Sequence, residues 1–342
     1  MRRTTDRFII FVAAAMNRLI STLATRVGSI NFPINQNLPM NDSKSTYCLL
    51  TAFLTVVSVA LTAQAQQGTA IPAITFENVS YGDHPNQVID FRKADVEGPV
   101  PLVIFIHGGG FRAGSHDKVS GKKIQQYHDA GIHHASIEYR FLQHARFPAQ
   151  HEDCVRALQF IRSKADEWGV DKERIAAYGG SAGAQLVAYL AWGNDFADPD
   201  SDDPISRESS RLTAVAPVGG QSTLDMDWWV ENIPGYNKNF HGKGNPGDLS
   251  AIEQRAVRHE ISIINHISSD DPPTFMSYGM NPGDQIPSDP KRARGWSIHH
   301  VNFGIAMEKE LRREGVEAFL KYPQAQLPFE DDVAFLIHHL KK

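Results

Sequence analysis

The chain has 342 residues, of which 42% are hydrophobic and 21% are charged. This composition supports a buried core and excludes an intrinsically disordered protein. With 34 Lys and Arg against 39 Asp and Glu, the formal net charge is −5, and the scattered basic residues do not indicate a nucleic-acid-binding protein. The two cysteines, Cys48 and Cys154, are too few for a disulfide framework or a structural zinc site.

The N-terminal segment has the pattern of an export signal. Residues 47–61 form an uncharged apolar run, too short to span a membrane comfortably, and a small-x-small sequence, Ala63-Gln64-Ala65, follows it. We therefore expect residues 1–65 to be a leader with a secretory signal peptide, and the exported mature chain to begin near Gln66 without a stable membrane span. Translation from Met40, one unusually long leader, or a membrane anchor that is never removed stay open as alternatives.

Residues 66–342 are expected to form one α/β domain, because short apolar runs alternate with helical patterns as in βαβ units on a mainly parallel sheet. Three helices are predicted over Cys154–Trp168, Asn302–Arg313 and Asp331–Leu340. A polar, Gly- and Pro-punctuated excursion at about 221–269 predicts a cap or substrate loop, with an insertion of no role as the alternative. The eight predicted strands are Ile74–Val79, Gln87–Phe91, Leu102–Ile106, Ala135–Tyr139, Ile175–Tyr178, Ala214–Val218, Thr274–Tyr278 and Ala318–Tyr322.

A candidate nucleophile lies in the sequence Gly179-Gly180-Ser181-Ala182-Gly183, between a predicted strand and an apolar helical run. A sharp strand-to-helix turn at this G-x-S-x-G pattern exposes the serine hydroxyl, and the small neighbours allow the turn to close. The helix N-terminus also favours developing negative charge. A Gly-rich turn without chemistry is the alternative for this motif alone.

A second motif, His107-Gly108-Gly109-Gly110-Phe111, follows the predicted strand that ends at Ile106. Consecutive glycines allow backbone N–H groups to approach a substrate oxygen closely. The amides of Gly109, Gly110 and Ala182 are therefore predicted to form an oxyanion hole. Two motifs in this order, each on the expected element, favour a serine hydrolase over coincidence.

These motifs resemble those of α/β-hydrolases of the HGGG group, the hormone-sensitive-lipase-like esterases and the related BD-FAE hydrolases. The resemblance runs from about Tyr81 to the C-terminus. It implies an α/β-hydrolase fold with a mainly parallel eight-stranded sheet, helices on both faces and a cap-like insertion, and cleavage of carboxylic esters by a Ser-His-Asp triad without a cofactor. The further matching segments are Tyr139-Arg140, Phe147-Pro148-Ala149, Asp153, Gly169-Val170-Asp171, Arg174-Ile175 and Asp270–Phe275.

The triad order in this fold is serine, acid, histidine. By the resemblance, Asp284 is the favoured acid, Asp289 is the second candidate, and a solvated loop carboxylate is the alternative for either.

The base departs from the family pattern, because Leu327 stands where the relatives carry histidine. His300, or its neighbour His299, is expected to supply the base from a relocated position, unless the pair only caps the helix that follows. His338 and His339, on the C-terminal helix, are expected to pack.

Two further patterns are expected to be structural. Trp228-Trp229 are predicted to pack within the excursion, with presentation to a sugar or aryl group as the alternative. His151-Glu152-Asp153-Cys154 resembles a metal cluster, but consecutive helical residues point in different directions, so no metal site is predicted.

The sequence thus predicts an exported serine hydrolase for short acyl or aryl esters, possibly carbohydrate-linked. Ser181, Asp284 and His300 would form its triad, without metal or cofactor. A catalytically impaired binding protein of the same fold is the alternative, and a peptidase is a third candidate. The oligomeric state stays open.

Overall fold

The computed structural model describes residues 71–236 and 251–342, which belong to one compact unit, Thr69–Lys342. The predicted leader, residues 1–65, lies outside the described residues, as does the middle of the excursion, residues 237–250. Within the described part, no helix combines the length and apolar character needed to cross a membrane.

All eight predicted strands form, and they join in a single sheet of order β1-β2-β4-β3-β5-β6-β7-β8. Strand β2 is antiparallel to both of its neighbours, whereas the other pairs are parallel. The predicted α/β-hydrolase sheet is thereby confirmed. The strands are β1 Phe76–Ser80, β2 Val88–Arg92, β3 Val100–Ile106, β4 His133–Ile137, β5 Val170–Gly180, β6 Ala214–Val218, β7 Thr274–Ser277 and β8 Ala318–Lys321.

The helices cover both faces of this sheet, as predicted. They are α1 Gly121–Asp129, α2 Ala149–Ser163, α3 Ala165–Trp168, α4 Ala182–Trp192, α5 Met226–Asn232, α6 Ala251–Glu260, α7 Pro290–Ile298, α8 Val301–Arg313 and α9 Asp332–Leu340. Two of them, α8 and α9, follow the expected segments closely. The segment predicted as one helix over Cys154–Trp168 instead forms two helices, α2 and α3, of which the first begins at Ala149. Two short helices form in the excursion, where none was predicted.

The central strands are buried on both faces, which explains their continuous apolar sequences. Side chains alternate along a strand, so Ile104 and Ile106 of β3 pack into the cluster shared with α2, α4 and α8. Val103 instead packs into the second cluster, with residues of α1 and α9. This double burial fixes the strand register, because a shift of one residue would exchange the two faces.

Parallel strands bring their carboxyl ends to one edge of the sheet, where ligands bind in open α/β folds. His107 follows β3, and Ser181 follows β5, which is paired directly with β3. The loop after β7 carries Asp284. The topology therefore places both glycine-rich motifs side by side at this edge.

Candidate active site

Ser181 occupies the strained turn that the motif predicts. Its backbone lies in the positive-φ region, at φ 55° and ψ −119°, where a residue with a side chain is rarely found. The Ser181 amide donates to the Val218 carbonyl at 2.9 Å, which ties the turn to β6. Gly183 is required here, because a Cβ atom at this position would lie 2.1 Å from the Ile106 carbonyl oxygen. The turn therefore holds the serine at the start of α4.

His299 lies next to the serine, with its Nε2 atom 2.9 Å from Ser181 Oγ. Its Nδ1 atom lies 2.9 Å from the Gly295 carbonyl oxygen. A carbonyl only accepts hydrogen bonds, so Nδ1 carries the proton and Nε2 is free to accept the serine hydroxyl. Burial lowers the pKa of His299 below its usual 6.5, although the Gly295 carbonyl acts in the opposite direction. At neutral pH the imidazole is therefore an uncharged acceptor.

The expectation that His300 faces Ser181 is corrected by this geometry. His300 is fully buried, and its Nδ1 accepts the Asn302 amide at 3.1 Å as the N-cap of α8. Its ring packs edge-on against Trp296, 4.4 Å away between centroids. The apolar face of α8 fixes where that helix begins, so the capping position falls on His300 and the preceding residue turns toward the serine. The sequence had left His299 open as the alternative.

The predicted acid, Asp284, does not form a hydrogen bond with His299 either. Asp284 is exposed, and its carboxylate accepts the Asn281 amide at 2.8 Å. Asp289, the second candidate, caps α7 by accepting the Arg292 amide at 2.8 Å. Among the described residues, no carboxylate forms a hydrogen bond with His299. The group that accepts the hydrogen bond from His299 Nδ1 is the Gly295 carbonyl.

Leu327, where the family resemblance led us to expect a histidine, packs against the hydrophobic cluster that includes Phe335 and Leu336. This cluster lies on the face of the sheet lined by α1 and α9. The usual base position has thus become a packing position.

The glycine motif after β3 reaches the same cavity as the serine. Gly109, Gly110, Ser181 and Ala182 all line it. Ala182 is the first residue of α4, so its amide has no acceptor within the helix. Gly109 has φ 124°, and a Cβ atom there would lie 1.7 Å from the Ala113 carbonyl oxygen, so no larger residue fits this loop. The predicted oxyanion-hole residues are therefore grouped around the serine.

A buried carboxylate that the sequence reasoning missed, Glu138, supports this glycine loop from below. Its Oε1 atom lies 2.7 Å from His107 Nε2, and its Oε2 atom lies 3.1 Å from His116 Nδ1. The Tyr139 hydroxyl donates to the His107 carbonyl at 2.9 Å. Burial raises the pKa of Glu138, but the two histidines outweigh it and bring the value to about 2. The charged carboxylate thus anchors the first residue of the loop.

The cavity in front of Ser181 has a volume of about 380 Å³ and mostly apolar walls. Its apolar lining residues include Phe111, Phe147, Trp229 and Ile261. Trp229 is 2% exposed and donates from Nε1 to the Thr223 carbonyl at 2.7 Å. Trp228 stacks on Phe303 and does not line this cavity. Of the two tryptophans, Trp229 borders the space in front of the serine.

The pattern around His151 does not form a metal site in the structure. His151 Nε2 lies 2.7 Å from Gln185 Oε1, whereas Asp153 accepts from Arg140, with its Oδ1 2.6 Å from Arg140 Nη2. Across residues 71–236 and 251–342, the group with metal-ligand spacing is Asp90, His116 and Asp117. The Arg92 guanidinium lies 4.0 Å from Asp90 and already supplies positive charge there.

Curated relatives of this chain include several esterases. Esterase LipC of Mycobacterium tuberculosis is 35% identical over 239 residues, which cover 66% of this chain and 56% of LipC. The probable carboxylic ester hydrolase LipM of the same organism is 25% identical over 218 residues, 60% of this chain and 47% of LipM. The chain thus spans about half the length of these curated relatives.

Solved structures share the fold. A truncated carbohydrate esterase from gut microbiota superposes with a TM-score of 0.60 at 20% identity, covering 80% of this chain and 99% of that chain. An esterase from the Planctomycetes species Thermogutta terrifontis gives a TM-score of 0.53 at 20% identity, covering 78% and 88%. At this identity the likeness establishes the α/β-hydrolase fold alone.

The family model BD-FAE matches residues 89–288, which include both glycine motifs and the serine turn. This match covers more than half of the 342 residues. The sheet, the turn at Ser181 and the adjoining HGGG loop agree with it. The chain belongs to the BD-FAE family of α/β-hydrolases.

Proposed function

We propose that the protein is a serine esterase that cleaves carboxylic esters through an acyl-enzyme, with Ser181 as nucleophile and His299 as general base. The observation that carries this proposal is the 2.9 Å contact between His299 Nε2 and Ser181 Oγ. It lies beside the Gly109–Gly110 loop and the Ala182 amide, and the curated esterases LipC and LipM support it.

In the first step, Ser181 Oγ attacks the ester carbonyl carbon while its proton passes to His299 Nε2. The carbonyl oxygen becomes an oxyanion, which accepts hydrogen bonds from the amides of Gly109, Gly110 and Ala182. His299 then returns the proton to the leaving alcohol, and the C–O bond breaks. Water, activated by the same imidazole, attacks the acyl-enzyme and releases the acid.

The Gly295 carbonyl takes over one role of the usual carboxylate, the orientation of the imidazole. It holds the imidazole in the tautomer that presents Nε2 to the serine. A neutral acceptor stabilises the imidazolium less than a carboxylate does, because charge-assisted hydrogen bonds are about twice as strong. We therefore infer a working Ser-His pair with a lower turnover than a complete triad would give. The binding-protein alternative is less well supported, since it required the absence of a base.

The cavity of about 380 Å³ suits a short acyl or aryl group. The apolar run and the Ala63-Gln64-Ala65 pattern support export of the protein. The enzyme would then meet its ester substrates in the periplasm or outside the cell. N-terminal sequencing of the protein secreted by its native host tests this part, with a start near Gln66 expected.

Hydrolysis of p-nitrophenyl acetate and butyrate by the purified protein tests the proposed activity. Ser181→Ala is expected to reduce turnover to background, whereas Ser163→Ala, an exposed serine on α2, serves as the matched control and keeps it. Equal turnover by the wild type and Ser181→Ala would contradict the proposal. Cleavage of a peptide p-nitroanilide in preference to the esters would favour the peptidase instead.

A further inference from the structure

Three arginines border the cavity in front of Ser181, although the chain as a whole has a net charge of −5. Arg112 follows the oxyanion loop, Arg258 belongs to α6, and Arg294 belongs to α7. Among the described residues that line this cavity, none is an aspartate or a glutamate. The cavity therefore combines mostly apolar walls with charged side chains that, among the described residues, are all arginines.

Arg294 is the arginine best placed to pair with a ligand. Its side chain is exposed, and its guanidinium forms no hydrogen bond or ion pair with the parts of the chain that the structure describes. Arg112 and Arg258 make further contacts within the protein. On α7, Arg294 precedes Gly295, whose carbonyl holds the base, and Ile298, one turn later, lines the same cavity. The Arg294 guanidinium thus lies on the helix that ends immediately before His299.

We propose that the esters cleaved at this site carry a carboxylate close to the scissile bond, and that Arg294 binds it. This inference rests on the proposed esterase function. A guanidinium presents a planar pair of N–H donors that matches a carboxylate. Because Arg294 is exposed, water screens this pair, and its contribution to binding is expected to be modest. A neutral ester would offer the Arg294 guanidinium no charged partner.

Two matched pairs of esters test the inference and decide which side of the bond carries the charge. In the first pair, p-nitrophenyl hydrogen glutarate and its methyl ester differ by one charge on the acyl side. In the second, p-acetoxybenzoate and its methyl ester differ by one charge on the alcohol side. The wild type is expected to prefer the anionic member of at least one pair by about tenfold in kcat/KM.

Arg294→Gln is expected to lower this anionic-to-neutral ratio about tenfold, mainly through KM. Arg292→Gln removes the same charge from the same helix, but Arg292 does not line the cavity, so this control keeps the ratio. If the wild type cleaves both neutral esters with a kcat/KM equal to or above that of their anionic partners, the inference is overturned while the esterase function stays intact. The inference is also overturned if Arg294→Gln leaves the anionic-to-neutral ratio unchanged, or if Arg292→Gln lowers this ratio to the same extent. If the wild type cleaves none of these esters faster than Ser181→Ala does, the proposed function is wrong, and this inference is wrong with it.

Discussion

Replacement of His299 by glutamine is expected to lower kcat/KM for p-nitrophenyl butyrate by about 10²–10⁴, the usual contribution of a general base. Glutamine can accept a hydrogen bond from Ser181 Oγ but cannot take its proton. In the described part of the chain, no other titratable side chain forms a hydrogen bond with that oxygen. The loss is not total, because the oxyanion hole and substrate binding leave residual catalysis of roughly 10³ over water.

The matched control is His300→Gln, which alters the neighbouring imidazole. His300 caps α8 and packs edge-on against Trp296, so its replacement is expected to cost about 1 kcal/mol of stability while kcat/KM stays within about threefold. Initial rates of p-nitrophenolate release, measured below the unfolding temperature of each variant, compare the two. Activity of His299→Gln within tenfold of the wild type would refute the assignment of the base. A loss in His300→Gln equal to that in His299→Gln would refute it too.

Three further predictions concern pH, the oxyanion loop and its support. Burial lowers the pKa of His299, so kcat/KM should rise as the pH increases below 6.5 and should be level by pH 7. A rise in kcat/KM that continues above pH 7 would contradict this. Gly109→Ala should reduce kcat by at least about 10², because the added Cβ would meet the Ala113 carbonyl, and rates near wild type would exclude the loop from the oxyanion hole. The lowered pKa of Glu138, about 2 against 4.5, adds stability that is present above pH 4.5 and is lost as the pH falls toward 2. Urea midpoints should therefore fall less steeply over that range in Glu138→Gln, and parallel curves for the two proteins would contradict the role of this carboxylate.

Much of the fold follows from local sequence. The apolar runs of β3 and β5 are buried on both faces, so composition alone identifies them, and the glycines beside them mark the turns. Strand β5 begins at Val170, earlier than the predicted Ile175, because Val100 of β3 pairs with Val170 ahead of a register shift. Such an irregular pairing depends on the partner strand and leaves no local signal.

The proposed base and its partner could not be assigned from the sequence, because tertiary contacts decide between adjacent residues. His299 and His300 differ by one position, and the start of α8 determines which of them becomes the cap. The search for an acid assumed a carboxylate, whereas the group that meets His299 is a main-chain carbonyl. Every residue has a carbonyl, so no residue type marks this role. Glu138 escaped notice because a lone glutamate after a strand carries no motif.

The central claim is that His299 makes Ser181 a nucleophile, and covalent labelling with diethyl p-nitrophenyl phosphate tests it most directly. Peptide mass spectrometry of the purified protein is expected to locate one diethylphosphoryl group on Ser181, formed at least about 10² faster in the wild type than in His299→Gln. Ser181→Ala should remain unlabelled. Absence of an adduct, or labelling of Ser181 at the same rate without the imidazole, would contradict the claim.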